Sequence, residues 1–187
     1  MATTSEYSLV TGAASGIGEA IVRELIGSAL AVVGIDLNVE RLAGLAREFG
    51  DRFIPVEADA TREDDVARAF REAQQFGRLK SAFNVVGGAR VAPLLDHTLD
   101  DWIFTTRLTL NSTFLCLREE ARIMQNGGGS IVNVASLNAR IPVYGASAYS
   151  ANKAAVEMLT KSAALELARP WDPSQRRPSG AHRNAQH

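Results

Sequence analysis

The sequence predicts an α/β fold of three layers: a doubly wound parallel sheet with helices on both faces. Three observations carry this. Short β-rich runs alternate with helical patterns five times along the chain, as β-α units feeding a parallel sheet do. The second run, Leu30 to Asp36, is unbroken apolar up to a terminal acid, which is how a strand covered on both faces reads. The first run opens into a glycine loop, Thr11-Gly-Ala-Ala-Ser-Gly-Ile-Gly18, with a helical pattern directly behind it. Crossover rules then order the strands 3-2-1-4-5.

Each element has its own signal. Strand one is Tyr7 to Val10, and the helix after the loop covers about Gly16 to Ser28. After strand two, Val39, Leu42, Ala43, Ala46 and Phe49 form the apolar stripe of the next helix. Phe53 to Glu57 is strand three. Thr61 with Asp64 matches a capping box, and Val66, Ala69, Phe70, Ala73 and Phe76 continue that helix. Ser81 to Val86 is strand four and ends in Gly87-Gly88. Thr98 with Asp101 caps a long helix whose stripe is Leu110, Phe114, Leu117, Ala121 and Met124, stopped by Asn126-Gly-Gly-Gly129. Ser130 to Ala135 is strand five, and a last helix runs from Ser147 to Ala168.

Composition narrows the function. The 187 residues suffice for one domain with a sizeable core. A net charge of −1 gives no electrostatic pull toward nucleic acid or an anionic membrane. No apolar run is long enough to span a bilayer, and the N-terminus lacks the pattern of a secretory signal. Cys116 is the only cysteine, so no internal disulfide is possible, which fits a reducing cytoplasm. Its helical context reads as a small core residue. His97 has no partner at ligand spacing, so no metal site is expected.

Two constellations carry chemistry. Gly12, Ser15, Gly16, Ile17 and Gly18 form a loop whose glycines permit a tight turn and close backbone approach to a pyrophosphate. The helix N-terminus behind it adds free N–H donors and a partial positive charge. Asp36, ending strand two, can accept from both adenosine ribose hydroxyls and would repel a 2′-phosphate. No arginine follows at Leu37 or Asn38, so NAD is favoured over NADP. Asp59, with Ala60 beside it, either bonds the adenine edge or begins the turn into Thr61. The second constellation is Tyr149-Ser-Ala-Asn-Lys153, with Ser136 thirteen positions earlier. Spacing of four puts Tyr149 and Lys153 on one helix face, where a cation favours the phenolate and suits it to proton transfer. Tyr144 has no lysine four positions on.

With these motifs in hand the chain, over roughly residues 5 to 169, resembles the short-chain dehydrogenase/reductase family, a Rossmann-type fold. The family's Thr-Gly-x-x-x-Gly-x-Gly loop stands as Thr11, Gly12, Gly16 and Gly18. Its Asn-Asn-Ala-Gly strand end appears altered as Asn84-Val85-Val86-Gly87, its helical asparagine as Asn111, its serine as Ser136, and its Tyr-x-x-x-Lys as Tyr149 and Lys153. The resemblance implies an NAD-dependent oxidoreductase that interconverts a secondary alcohol and a ketone. Tyr149 would exchange the hydroxyl proton, Lys153 would support it and hold the nicotinamide ribose, and Ser136 would bond the substrate oxygen. Asn111 would hold a relay water, while Asn84 and Gly87 would touch the cofactor. Val85 cannot hydrogen-bond as the family's second asparagine does, so weaker ordering is expected there. Residues 137–143 would line part of the substrate pocket, and the long helix with the Tyr149 helix implies a homo-oligomer. The alternative is a non-catalytic dinucleotide-binding fragment, or a fragment that does not fold stably.

That alternative arises from the last residues. The resemblance implies a sixth strand, a substrate-covering segment and a seventh strand after this point. From Pro170 onward there is no Leu, Ile, Val, Phe or Met, and there are three prolines. The chain is therefore read as a dinucleotide-binding domain over 1–169 and an irregular tail over 170–187, lacking the usual sixth and seventh strands. Codons for this tail, read one nucleotide later, can spell His-Gly-Ile-Arg-Val-Asn-Ala-Val-Pro-Pro-Gly, which follows the family's sixth strand. One extra nucleotide near the Arg169 codon, as a sequencing error or a real mutation, is therefore expected to have shifted the frame. An independent read of the coding DNA from Leu165 to Gly180 is expected to lack one base; an intact frame sinks the error reading.

Overall fold

A computed structural model of the chain describes residues 6–168. The expected tail at 170–187, and Arg169 before it, lie outside the described residues.

Five parallel strands make one sheet in the order β3-β2-β1-β4-β5. They are β1 Glu6–Thr11, β2 Ala31–Asp36, β3 Phe53–Glu57, β4 Arg78–Asn84 and β5 Ser130–Asn133. Helices α1 Gly16–Gly27, α2 Val39–Phe49, α3 Glu63–Ala73, α4 Leu99–Thr106, α5 Ser112–Met124 and α6 Ser147–Leu167 follow in turn. Alternation along the strands divides the core. Val10 and Val32 face a cluster with Val22 and Ile26 of α1 and Leu42 and Leu45 of α2. Leu9 and Val33 face the other side, with Val66 and Phe70 of α3 and Leu115, Cys116 and Met124 of α5. Two buried layers against one sheet is what the apolar run of β2 requires.

The differences from the expected elements have local causes. Strand four begins at Arg78 and ends at Asn84, because Arg78 and Lys80 both pair with Glu6 at the start of β1. Strand five ends at Asn133. Thr61 is not the cap of α3: Arg62 holds that position without a side-chain bond. The Asp59 carboxylate instead accepts the Thr61 N–H at 2.8 Å and makes the turn itself, a local side-chain bond of the kind that competes with helix. Val39 and Phe76 are exposed rather than part of their helices' buried stripes. Thr98 does cap α4, accepting the Asp101 N–H at 3.1 Å.

The long helix is interrupted by a π turn, Arg107–Asn111. A π turn inserts a residue and shifts the phase of the helix face. Leu117 and Met124 are buried as expected, but Phe114 is 45% exposed, with Trp102, Ile103 and Phe104 exposed alongside. The buried face carries Thr105, Thr109 and Thr113 instead. Among the described residues β5 is paired on one side only, as an edge strand. Beside it a groove of about 540 Å³ is lined by Ile131, Asn133, Leu117, Met124, Thr160 and Leu167.

One polar side chain stands out in this core. Glu120 of α5 is 0% exposed. Burial pushes its carboxyl up to about 8 from an ordinary 4.5, and a hydrogen bond from Asn84 offsets part of that. With the folded value above the unfolded one, the folded chain binds the extra proton between those limits. Stability is therefore greatest below about pH 4.5 as far as this group is concerned, and falls as pH rises toward about 8. Glu120→Gln is expected to flatten the dependence of melting temperature on pH across that window; an unchanged slope would show that Glu120 does not carry it.

Candidate active site

The site is assembled at the carboxyl ends of β1, β2 and β4, around a cleft of about 380 Å³. Gly12, Ser15, Gly16 and Ile17 line one side, Asp36 and Leu37 another, Asp59, Ala60 and Thr61 a third, and Val85, Val86, Gly87 and Leu108 complete it. Gly12 and Gly16 have φ of +69° and +52°, the left-handed backbone that glycine adopts without strain. Gly18 stands behind the lining: a Cβ there would lie 1.9 Å from the Gly12 carbonyl oxygen. That contact holds the first turn of α1 against the end of β1. Ser15 is the α1 N-cap residue but makes no side-chain cap bond, so first-turn N–H groups are left for a ligand.

Asp36 is fixed by backbone on both oxygens. Oδ2 accepts from the Ala14 N–H at 3.0 Å and Oδ1 from the Asn38 N–H at 2.9 Å. A cation that the chain order did not reveal also reaches this corner. Arg41, on α2, donates through Nε to the Ala14 carbonyl at 3.3 Å, and its guanidinium pairs with Glu19. Asp59 serves the turn, as described, while also lining the cleft.

Asn84 lies behind the cleft wall rather than in its lining, and is only 3% exposed. Its Nδ2 donates to Glu120 Oε2 at 2.8 Å and to Asn133 Oδ1 at 2.9 Å, and its Oδ1 takes a long 3.5 Å bond from Thr11. The amide is spent inside the core and supports the cleft wall from behind. At Val85, where weaker ordering was expected, the backbone N–H is held by Thr11 Oγ1 at 3.2 Å and the side chain packs on the core. Further along, Thr109 Oγ1 donates to the Gly88 carbonyl at 2.9 Å, and Thr105 Oγ1 accepts the Arg90 N–H at 3.3 Å. These two threonines, one turn apart, hold the loop after β4 to the long helix. Their i, i+4 spacing is the one signal that could have revealed them.

Gly87 links the cleft to the second constellation, since a Cβ on it would lie 3.2 Å from Lys153 Nζ. Lys153 is 3% exposed, and its Nζ donates to the Val134 carbonyl at 2.6 Å. Burial pushes its ammonium below the ordinary lysine value. The same Nζ stands 5.7 Å from the centroid of the half-buried Tyr149 ring. Ser136 caps a 3₁₀ turn, Leu137–Ala139, that packs on α6. Its Oγ accepts the Asn138 N–H at 3.2 Å, which leaves the hydroxyl hydrogen free to donate. Asn111 closes the π turn, against which α6 packs, and is exposed. In the segment 137–143, Leu137, Ile141 and Val143 are exposed. The Ala92 N–H to Gly145 carbonyl bond, 3.0 Å, ties the loop after β4 to the segment before α6.

Known proteins resemble this chain in sequence and fold. The chain is 38% identical to a 3beta-hydroxysteroid dehydrogenase of Mediterraneibacter gnavus, across 86% of the chain and 60% of that protein. It is 39% identical to a D-threitol dehydrogenase of Mycolicibacterium smegmatis, across 86% of the chain and 64% of that protein. The chain thus spans less than two thirds of the length of these relatives. A crystal structure of a short-chain dehydrogenase from Streptomyces avermitilis superposes with a TM-score of 0.83 at 29% identity, over 90% of this chain and 62% of that one. Residues 6–170 match the family model described as short chain dehydrogenase. With a sheet of order 3-2-1-4-5 and a glycine-lined cleft abutting a buried lysine, the chain belongs to the short-chain dehydrogenase family.

Proposed function

We propose that the chain is an NAD-dependent oxidoreductase that interconverts a secondary alcohol and its ketone. The observation that carries this reading is the position of Lys153 Nζ, between Gly87 of the cleft, the Val134 carbonyl and the Tyr149 ring. A dinucleotide fits the cleft on the chain's own chemistry. Gly18 has no room for a Cβ against the Gly12 carbonyl, the first turn of α1 has free N–H groups, and the Asp36 carboxylate is oriented by two backbone donors.

In this reading Gly12, Ser15, Gly16, Ile17 and Gly18 hold the pyrophosphate, Asp36 the adenosine ribose, and Asp59 and Ala60 the adenine side. Gly87, Tyr149 and Lys153 hold the nicotinamide end, with Asn84 acting through the backbone it supports. The chemistry supplied by bound NAD is hydride acceptance in one direction and hydride donation in the other. The Tyr149 hydroxyl group exchanges the proton of the substrate oxygen, with the Lys153 ammonium favouring the charged form of the ring oxygen. Ser136 donates its free hydroxyl hydrogen to the same substrate oxygen, stabilising charge that develops there. Asn111, exposed beside α6, holds a water that passes protons between Lys153 and solvent.

Asp36 supports NAD over NADP, because its carboxylate would meet a 2′-phosphate. Arg41 does not reverse this, since its guanidinium is occupied by Glu19 and its Nε by the Ala14 carbonyl. The exposed apolar face of Trp102, Ile103, Phe104 and Phe114 supports a homo-oligomer built on the long helix. Among the described residues no helix is long and apolar enough to cross a membrane, and a cytoplasmic, small-molecule enzyme remains the reading.

Two experiments test this function. Tyr149→Phe is expected to lower turnover of a secondary-alcohol panel by at least ~10²-fold, the scale of a lost proton-transfer group, while NADH affinity by fluorescence titration stays within about threefold. Equal losses in both would remove Tyr149 from the proton-transfer role, and NADH binding without turnover in the unaltered chain would favour the dinucleotide-binding fragment. Asp36→Ser is expected to shift the NADH-to-NADPH affinity ratio toward NADPH by roughly tenfold, about 1.4 kcal/mol. An unmoved ratio would place cofactor choice elsewhere.

A further inference from the structure

Glu120 is a buried acid that none of the roles above uses. Among the described residues it is the one carboxylate side chain classed as fully buried. Its Oε2 accepts from Asn84 Nδ2 at 2.8 Å, and its Oε1 has no hydrogen-bond partner. A buried carboxyl with one oxygen unsatisfied is a poor source of stability, and an apolar side chain of similar size commonly serves a core as well or better. Its burial also holds it in the neutral form up to about pH 8. The group therefore invites an explanation from what it touches.

It touches the support of the cleft. Asn84 has two amide hydrogens, one given to Glu120 and one to Asn133 Oδ1 at 2.9 Å. Two acceptors on that side leave the Asn84 carbonyl oxygen turned to Thr11, whose Oγ1 in turn accepts the Val85 N–H at 3.2 Å. A flipped Asn84 amide would set its oxygen against Asn133 Oδ1, and as it stands its second N–H is taken by Glu120 Oε2. Thr11 opens the glycine loop, and Val85, Val86 and Gly87 line the cleft. The other branch runs from Asn133 Nδ2 to Thr160 at 2.9 Å, then to the Val156 carbonyl at 2.7 Å, on the helix that carries Tyr149 and Lys153.

We propose that Glu120 is a positioning residue for the dinucleotide cleft: by fixing the Asn84 amide it sets the ends of β1 and β4 that form the cleft wall. The inference rests on the cleft being the dinucleotide site, so its test reads wall geometry and cofactor binding separately. Glu120→Met removes the acceptor and the unsatisfied oxygen together; Glu120→Gln keeps a neutral acceptor of the same shape.

Three quantities are measured for each variant: the melting temperature, amide hydrogen exchange across residues 11–18 and 85–88, and NADH affinity. Glu120→Met is expected to melt within a few degrees of the unaltered chain, while exchange at residues 85–88 quickens and NADH affinity falls roughly tenfold, the scale of one buried hydrogen bond. Glu120→Gln is expected to restore exchange and affinity to within about threefold. A merely structural role predicts the reverse for Met, a lower melting temperature with the folded population's exchange and affinity unchanged, and that result overturns the proposal. So does quickened exchange with full NADH affinity, or failure of Gln to rescue. If no variant binds NADH, the unaltered chain included, the cofactor reading fails, and exchange alone then decides the positioning role: quickened exchange at 85–88 in Glu120→Met that Glu120→Gln restores upholds it, and unchanged exchange overturns it.

Discussion

The backbone of Gly18 lies against the carbonyl of Gly12 with no room between them for even a methyl group. This contact sets the rest of the site. It brings α1 so near the end of β1 that the loop must turn back through Gly12 and Gly16 in left-handed conformations. The first turn of α1 is then aimed across the carboxyl edge of the sheet. Ala14, drawn in by the same turn, donates to Asp36 across the neighbouring strand. A second close approach repeats the device on the same face of the sheet, where Gly34 leaves space for the Phe53 ring and Ala13. Both depend on the absence of a side chain, so a small number of glycines determines how closely the β-α units pack and where the cleft opens.

Much of this was legible in the sequence, because the signals are local and periodic. The strand order follows from five β-α units, and β3 falls at Phe53–Glu57 as the residue pattern gives it. Tyr149 and Lys153 come to one side of α6 because four residues make about one helical turn. What escaped was decided between elements. The start of β4 depends on Glu6, seventy-two residues away from Arg78, and no local pattern contains that pair. Thr61 lost the cap of α3, which falls at Arg62, because the Asp59 carboxylate two residues before it takes the Thr61 N–H into a turn. Asn84 reads as a site residue by position, yet its amide finds Glu120, Asn133 and Thr11 from three different elements. Arg41 reaches Ala14 only once α2 has folded back along α1.

The π turn shows how one local irregularity redistributes chemistry along a helix. Read as continuous, the helix from Leu99 onward offers an apolar stripe to the core. The turn at Arg107–Asn111 rotates that stripe, and Thr105, Thr109 and Thr113 are buried in its place. Burial of three hydroxyls is tolerable only if each is bonded, and each is: Thr105 to Arg90, Thr109 to Gly88, Thr113 to the Thr109 carbonyl. The loop beyond β4 thereby gains anchors that an apolar face could not supply. Phe114, expected in the buried stripe, is left at the surface instead.

Among the described residues Lys153 and Glu120 are the charged-type side chains that are buried, and their placement is complementary. Each is shifted by desolvation toward its neutral form, the lysine downward and the acid upward. Neither has an ion-pair partner among the described residues; each has one neutral hydrogen-bond partner, a backbone carbonyl for Lys153 and the Asn84 amide for Glu120. Groups of this kind add little to folding stability, since desolvation offsets what one neutral bond returns. Their partners lie on adjacent strands, Val134 just beyond β5 and Asn84 at the end of β4, where the Val134 N–H also bonds the Asn84 carbonyl at 2.9 Å. The two costly groups therefore converge on the same backbone hydrogen bond from neighbouring helices on one face of the sheet. Lys153 Nζ reaches the end of the cleft and Glu120 the Asn84 amide behind its wall, so one pair of strand ends links the cleft to the helix that carries Tyr149.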